Sequence, residues 1–308
     1  MNRKSAFLTT TMGVCLTAMV CCALWGSAFP CIKIGYQLFQ IDGNDISSQL
    51  LFAGCRFTLA GLLTILLGSL MNRRPLIPRK TSWIRIAKLS LFQTVIQYLF
   101  FYVGLAHTTG VKASIIEASN VFVAILIASL IFRQEKLDKH KIIGCIAGFA
   151  GVVLININQS GLDMSLSLTG EGFILLSTIA YAVSSVLIKI YSREDNPVML
   201  SGWQFLLGGI IMILCGYLTG GSVSVWTAPS ISMLFYLAAV SAVAYSLWGI
   251  LLKLNPVSKV AVFGFMNPVF GVILSALLLG EGQQAFGLTA IGALVLVCIG
   301  IYIVNKQQ

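Results

Sequence analysis

Apolar runs of about twenty residues, parted by short polar breaks, fill this chain from one end to the other. An uninterrupted apolar run of that length spans a bilayer core as a helix. Ten such runs can be drawn, at 11–37, 48–71, 83–106, 110–132, 140–157, 170–191, 198–219, 229–252, 257–279 and 287–304. Most breaks are only a few residues long, which forces consecutive helices to be antiparallel. The exception is Asn156 to Glu171 (NINQSGLDMSLSLTGE), long and largely polar, which divides the ten runs into two sets of five. The pattern therefore predicts an all-α integral membrane protein with a first five-helix unit at 1–157, a linker at 158–169 and a second unit at 170–308.

The two sets echo one another. Gly110 to Leu137 (GVKASIIEASNVFVAILIASLIFRQEKL) has the layout of Pro256 to Gln283 (PVSKVAVFGFMNPVFGVILSALLLGEGQ), 146 positions on, and Glu135 matches Glu281. CRFTLAG (55–61) parallels WQFLLGG (203–209), setting Arg56 against Gln204. IKI (32–34) recurs at 188–190, and GVVLIN (151–156) at 300–305 as GIYIVN. Echoes in one order along the chain indicate duplication. Since five is odd, the second copy enters the membrane upside down, the inverted-repeat plan of many secondary transporters.

Composition changes the picture in one respect only. The chain is 57% hydrophobic and 10% charged, with a net charge of +10. Such a positive balance suits nucleic acid, but here the basic residues sit between apolar runs, as topology determinants do. With the N-terminus inside, 17 of the 20 lysines and arginines fall on the cytoplasmic side, leaving Lys33, Arg56 and Lys112 on the outer side. Both termini are therefore expected in the cytoplasm, with no nucleic acid as partner and the lipid bilayer as the surrounding medium. The MNRK start followed by an apolar run reads as a retained first helix. Eight cysteines without a C-x-x-C pair indicate neither disulfides nor a metal site, and no cofactor is expected.

The segments WGSAFPCIK (25–33), RF (56–57), FMNP (265–268) with GE (280–281), and the Glu135 ending of the fourth run resemble the EamA-type transporters of the drug/metabolite transporter superfamily. The resemblance covers nearly the whole chain. It implies a ten-helix, inverted-repeat carrier that exports small metabolites or amphipathic compounds across the cytoplasmic membrane. Phe122 stands where the second half has Pro268, so only the second half is expected to bend at a proline there.

A carrier needs polar groups at mid-depth, and ionisable residues inside apolar runs are the first candidates. Lys33, Arg56 and Glu117 share a similar depth in the outer half, each on a stripe of small residues. They suit a single cavity in which Glu117 balances one cation and leaves the other for a substrate carboxylate. The same residues equally suit a structural Arg56–Glu117 pair, with Lys33 reaching to the interface. The second half offers amides and aromatics instead: Tyr181, Gln204, Tyr245, Trp248 and Asn267. Trp25, Gln97 and Asn120 complete a polar–aromatic set fit for an amphipathic organic solute. His107, Glu135 and Glu281 read as helix-end or gate residues. Glycine faces in the fifth and tenth runs suit pairing within one chain or between two, so a homodimer is among the expected partners.

The function expected is secondary transport of amino-acid-like or amphipathic solutes by alternating access. A channel-like or lipid-scrambling pore is the alternative. The sequence has no G-x-x-x-x-G-K-S/T, H-E-x-x-H or G-x-S-x-G, so neither ATP hydrolysis nor a membrane-embedded hydrolase is indicated.

Overall fold

The computed structural model describes residues 6–108, 113, 116–157, 167–279 and 288–306. Its helices coincide with the apolar runs: α1 (Thr11–Phe39), α2 (Ile46–Asn72), α3 (Ser82–Ala106), α4 (Ile116–Ile131), α5 (Lys139–Ile157), α6 (Leu168–Tyr191), α7 (Pro197–Leu218), α8 (Ala228–Leu254), α9 (257–279) and α10 (Leu288–Asn305). Six of them, α1, α2, α3, α6, α7 and α8, are long and apolar enough to cross a membrane. Most of the linker, Glu281 and Lys112 lie outside the described residues.

Local chemistry sets the helix ends. Short polar side chains accept from the free N–H groups of the first turn: Thr10 from Gly13 at α1, Asp45 from Ser48 at α2, and Asn196 from Val198 at α7, where Pro197 follows at the first helical position, whose N–H would have no intrahelical acceptor. Thr227 and Ser230 cap α8 reciprocally. Gln40 and Arg73 close α1 and α2 in the left-handed conformation, φ 55° and 51°.

Four helices depart from α geometry, three of them through π segments of which the periodicity gave no warning. α3 carries a π segment at Leu91–Ile96, α4 ends in one at Ile127–Ile131, and α6 begins with one at Leu168–Gly172. α9 tightens into a 3-10 turn at Val262–Phe265 before resuming at Met266. Pro268 sits two positions beyond that restart and has no N–H to offer the Gly264 carbonyl.

Glycine decides which helices meet. Between hydrocarbon-soluble helices there is little hydrophobic force, so association rests on close packing. On α2 and α7, a Cβ added at Gly54 would lie 2.5 Å from the Ile213 nitrogen, one at Gly209 would lie 2.4 Å from the Thr58 nitrogen, and one at Gly216 would lie 2.6 Å from the Leu51 nitrogen. On α5 and α10, Gly144 faces the Gly300 carbonyl and Gly151 the Ala293 carbonyl, at 2.8 and 2.7 Å from an added Cβ. The glycine faces of the fifth and tenth runs thus pair with each other inside one chain. The pairings repeat when each helix is exchanged for the one five places on. α1–α8 answers to α3–α6 and α1–α9 to α4–α6, while α2–α7 and α5–α10 map onto themselves. Outward-facing Leu66, Leu70, Ile131, Ile146 and Tyr302 leave an apolar exterior.

Candidate functional site

The middle of the bundle is built on a pair of tyrosines. Tyr98 of α3 and Tyr245 of α8 stand 147 positions apart, and their hydroxyls hydrogen-bond at 3.1 Å. The same spacing relates Thr94 to Ser241, which make matching bonds on either side. Arg56 of α2 donates from Nη2 to Ser241 Oγ at 2.9 Å, and Thr94 donates to Oε1 of Gln204, the α7 counterpart of Arg56, at 2.7 Å. The Arg56–Gln204 echo read from the sequence therefore corresponds to two equivalent bonds about the Tyr98–Tyr245 contact.

Aromatic rings carry this centre towards a small cavity. Trp25 packs edge-on against both Tyr245 and Trp248, with centroids 5.1 and 5.0 Å away. Beyond Trp248, a cavity of about 10 Å³, roughly one water molecule's worth, is lined by Asn120 and Ala124 of α4, Tyr181 and Ser185 of α6, Trp248 and Leu252 of α8, and Ala261, Gly264 and Asn267 of α9. Four of the residues predicted from sequence, Asn120, Tyr181, Trp248 and Asn267, meet there. The break in α9 places the Gly264 and Asn267 backbone on this wall. Among the described residues the buried Trp25 Nε1, Gln97 Oε1, Gln204 Nε2 and Asn267 Oδ1 have no hydrogen-bond partner. Buried polar atoms in folded proteins are usually paired with a protein group or an ordered water, so these four are free to accept or donate a further bond.

The three intramembrane charges part company. Lys33 is exposed on α1. Arg56 is 3% exposed, donates from Nε to the Leu237 carbonyl at 3.3 Å, and lies against the Phe57 ring at 5.1 Å. Glu117 is half-buried on α4. The ion pairs among the described residues include neither an Arg56–Glu117 bridge nor one from Lys33. His107 is exposed at the end of α3, with its ring bonded to the Val103 carbonyl.

A second network, not anticipated from sequence as a unit, ties the opposite ends of five helices. Glu135, following α4, receives Lys141 Nζ at 2.7 Å and the Ser258 N–H at 3.0 Å, with the Ser258 hydroxyl also donating to it. Lys189 of α6 donates to the Leu252 and Asn255 carbonyls ending α8, Lys259 of α9 to the Thr9 carbonyl, and Asn255 to the Leu8 carbonyl. Glu135 and Lys141 are both nearly buried, so this end of the bundle is closed by satisfied charge. The only sequence signal was Glu135 itself, read as a gate residue. Arg85, within the basic run 73–88, pairs with Asp195 at 2.7 Å and with Glu194, so it also fastens α3 to the α6–α7 turn.

Comparison with known proteins agrees with this architecture. A crystal structure of another protein superposes with a TM-score of 0.78 over 96% of this chain and 98% of its own, at 17% identity, which is a likeness of fold. An uncharacterized transporter of Archaeoglobus fulgidus is 30% identical over 92% of this chain and 94% of its own length. A probable amino-acid metabolite efflux pump of Salmonella typhimurium is 26% identical over 98% and 95% respectively. A WAT1-related chloroplastic protein of Arabidopsis thaliana is 26% identical over all of this chain and 73% of its own. The model of the EamA-like transporter family matches twice, at residues 12–157 and 168–306. With a match in each half and apolar helices throughout, the chain belongs to the EamA-like transporter family and is a multi-pass membrane protein.

Proposed function

We propose that this protein is a secondary carrier that exports small amino-acid-like or amphipathic organic solutes across the cytoplasmic membrane by alternating access. In this reading all ten helices span the bilayer, the units 1–157 and 170–308 are inverted repeats, the linker 158–169 is extracytoplasmic, and both termini lie in the cytoplasm. The observation that carries it is the exchange symmetry of the packing around the Tyr98–Tyr245 contact. Two equivalent halves meeting at a polar centre supply the two matched arrangements that alternating access needs. A relative named as a probable amino-acid metabolite efflux pump supports the solute class.

The binding site in this reading runs from Arg56 and Glu117 past Trp25, Gln97 and Tyr245 to the cavity of Asn120, Tyr181, Trp248 and Asn267, with Gln204 across the centre and Lys33 at the outer approach. Its aromatic walls suit an apolar body, and the unsatisfied amides suit polar substituents. Counterflow in proteoliposomes preloaded with amino acids and related metabolites tests it. Saturable exchange, reduced at least tenfold in Glu117→Gln, is the expected result. Flux that neither saturates nor responds to counter-substrate identifies a pore instead.

A further inference from the structure

We infer that Arg56 receives the carboxylate of the transported solute, which makes the cargo class organic carboxylates rather than organic cations or neutral solutes. The inference rests on the carrier reading above and narrows its substrate. A guanidinium in a bilayer interior is costly unless a counter-charge or full hydrogen bonding compensates it. Arg56 is buried, yet among the described residues it has two hydrogen bonds, to the Leu237 carbonyl and the Ser241 hydroxyl. Of the five N–H donors of an arginine, three are left over. The contrast with Lys141 is direct: that lysine is equally buried, and Glu135 stands 2.7 Å from it.

What surrounds Arg56 is suited to donate. Tyr36, Tyr98, Tyr102 and Tyr245 belong with Phe57 to one aromatic cluster, and the Phe57 ring stands 5.1 Å from the Arg56 guanidinium. Trp25 Nε1 is buried without a hydrogen-bond partner among the described residues, and Trp25 packs on Tyr245. An indole N–H and three guanidinium N–H groups form a donor-rich set that an acceptor-only group completes. A carboxylate matches the planar guanidinium fork in two parallel bonds, which an ammonium or an aliphatic chain cannot do. Lys33, the other cation at this depth in the sequence, is exposed, so the choice the sequence left open between them falls on Arg56.

The test uses purified full-length protein in detergent and in proteoliposomes, with two probe pools: the proteinogenic L-amino acids with short organic acids, and the corresponding carboxamides. Thermal stabilisation and counterflow are measured for wild type, Arg56→Gln and Ser241→Ala. The expected result is exchange of the acids at least tenfold above the amides in wild type, with the preference collapsing to within about twofold in Arg56→Gln. Ser241→Ala, which removes the side-chain bond to α8 and leaves the charge and the bond to the Leu237 carbonyl, retains the preference. Equal exchange of both pools, or a preference that survives Arg56→Gln, overturns the inference and leaves the carrier reading intact. So does loss of the preference in Ser241→Ala to the same extent as in Arg56→Gln, because Arg56 then acts as a helix tie. Arg56-dependent stabilisation by acids without any exchange upholds the carboxylate site and sinks the carrier. Neither stabilisation nor exchange with either pool overturns both. Should Arg56→Gln fail to yield a monodisperse protein, Arg56→Lys replaces it, with the acid preference expected to weaken as the two-pronged bond is lost.

Discussion

At the start of α2 one carboxylate holds the first turn, and its effect can be read in isolation. Asp45 accepts from the Ser48 N–H at 3.0 Å, and bonding to Ser48, through side chain and backbone, holds its carboxyl below the usual range. A depressed carboxyl contributes stability above its ordinary pKa of about 3.9 and loses that contribution as the pH falls through its folded value. Asp45→Ala is expected to cost about 1 kcal/mol at neutral pH, with Asp45→Asn recovering most of it. The gap between wild type and Asp45→Ala should shrink below about pH 4. Thermal unfolding in detergent across pH measures both, and a gap unchanged at pH 3 removes the cap from the explanation. The same scale governs Arg56 and Lys33. Both are single cations in apolar sequence, and only the neighbours they meet separate a buried donor from an exposed side chain.

Between elements, the α2–α7 and α5–α10 contacts depend on the absence of a Cβ. A side chain at Gly209 would meet the Thr58 and Gly54 backbone at 2.4 and 2.9 Å, where nothing flexible can yield. Gly209→Leu and Gly300→Leu are therefore expected to abolish monodisperse folding or lower the melting temperature severely, by the overpacking and backbone-clash route to large destabilisation. Gly43→Ala is the control: nothing lies within 4 Å of its added Cβ, so its effect should stay within about 0.5 kcal/mol. Size-exclusion profiles and melting curves of the three variants decide the matter. If Gly209→Leu behaves like Gly43→Ala, close backbone approach is not what joins these helices.

For the molecule as a whole, one end is fastened by charge. The Glu135–Lys141–Ser258 cluster and the Lys189 bonds to the end of α8 draw α4, α5, α6, α8 and α9 together, and the proposed orientation makes this the cytoplasmic end. Glu135→Ala takes the carboxylate from Lys141 and removes the Ser258 bonds to it. It is expected to open that end. Cys22, buried with its thiol directed at the Phe263 carbonyl at 3.2 Å, reports the opening when kept as the sole cysteine. Labelling by a membrane-impermeant maleimide in inside-out vesicles should rise several-fold in Glu135→Ala. Unchanged labelling would show that helix packing, not this cluster, closes the end.

Helix positions were legible in the sequence because a bilayer imposes length and apolarity on each helix regardless of its neighbours. The runs at 83–106 and 140–157 reappear as Ser82–Ala106 and Lys139–Ile157 for that reason. The duplication was legible too, since repeated register survives divergence in residue type. Thr94 and Ser241, and Tyr98 and Tyr245, stand at nearly the same spacing, but only the structure brought them together at the centre of the bundle. What the chain order did not contain was partner choice. Glycines 144 and 300 suited a second copy as well as their own chain; the fold turns them on each other. The π segments, the 3-10 turn at Val262–Phe265 and the burial of Arg56 against the exposure of Lys33 likewise arise only when the helices compete for the same space. Periodicity along one helix records which face is apolar. Which neighbour that face meets, and which charge is left without a counter-ion, depends on residues more than a hundred positions away and is decided by tertiary packing.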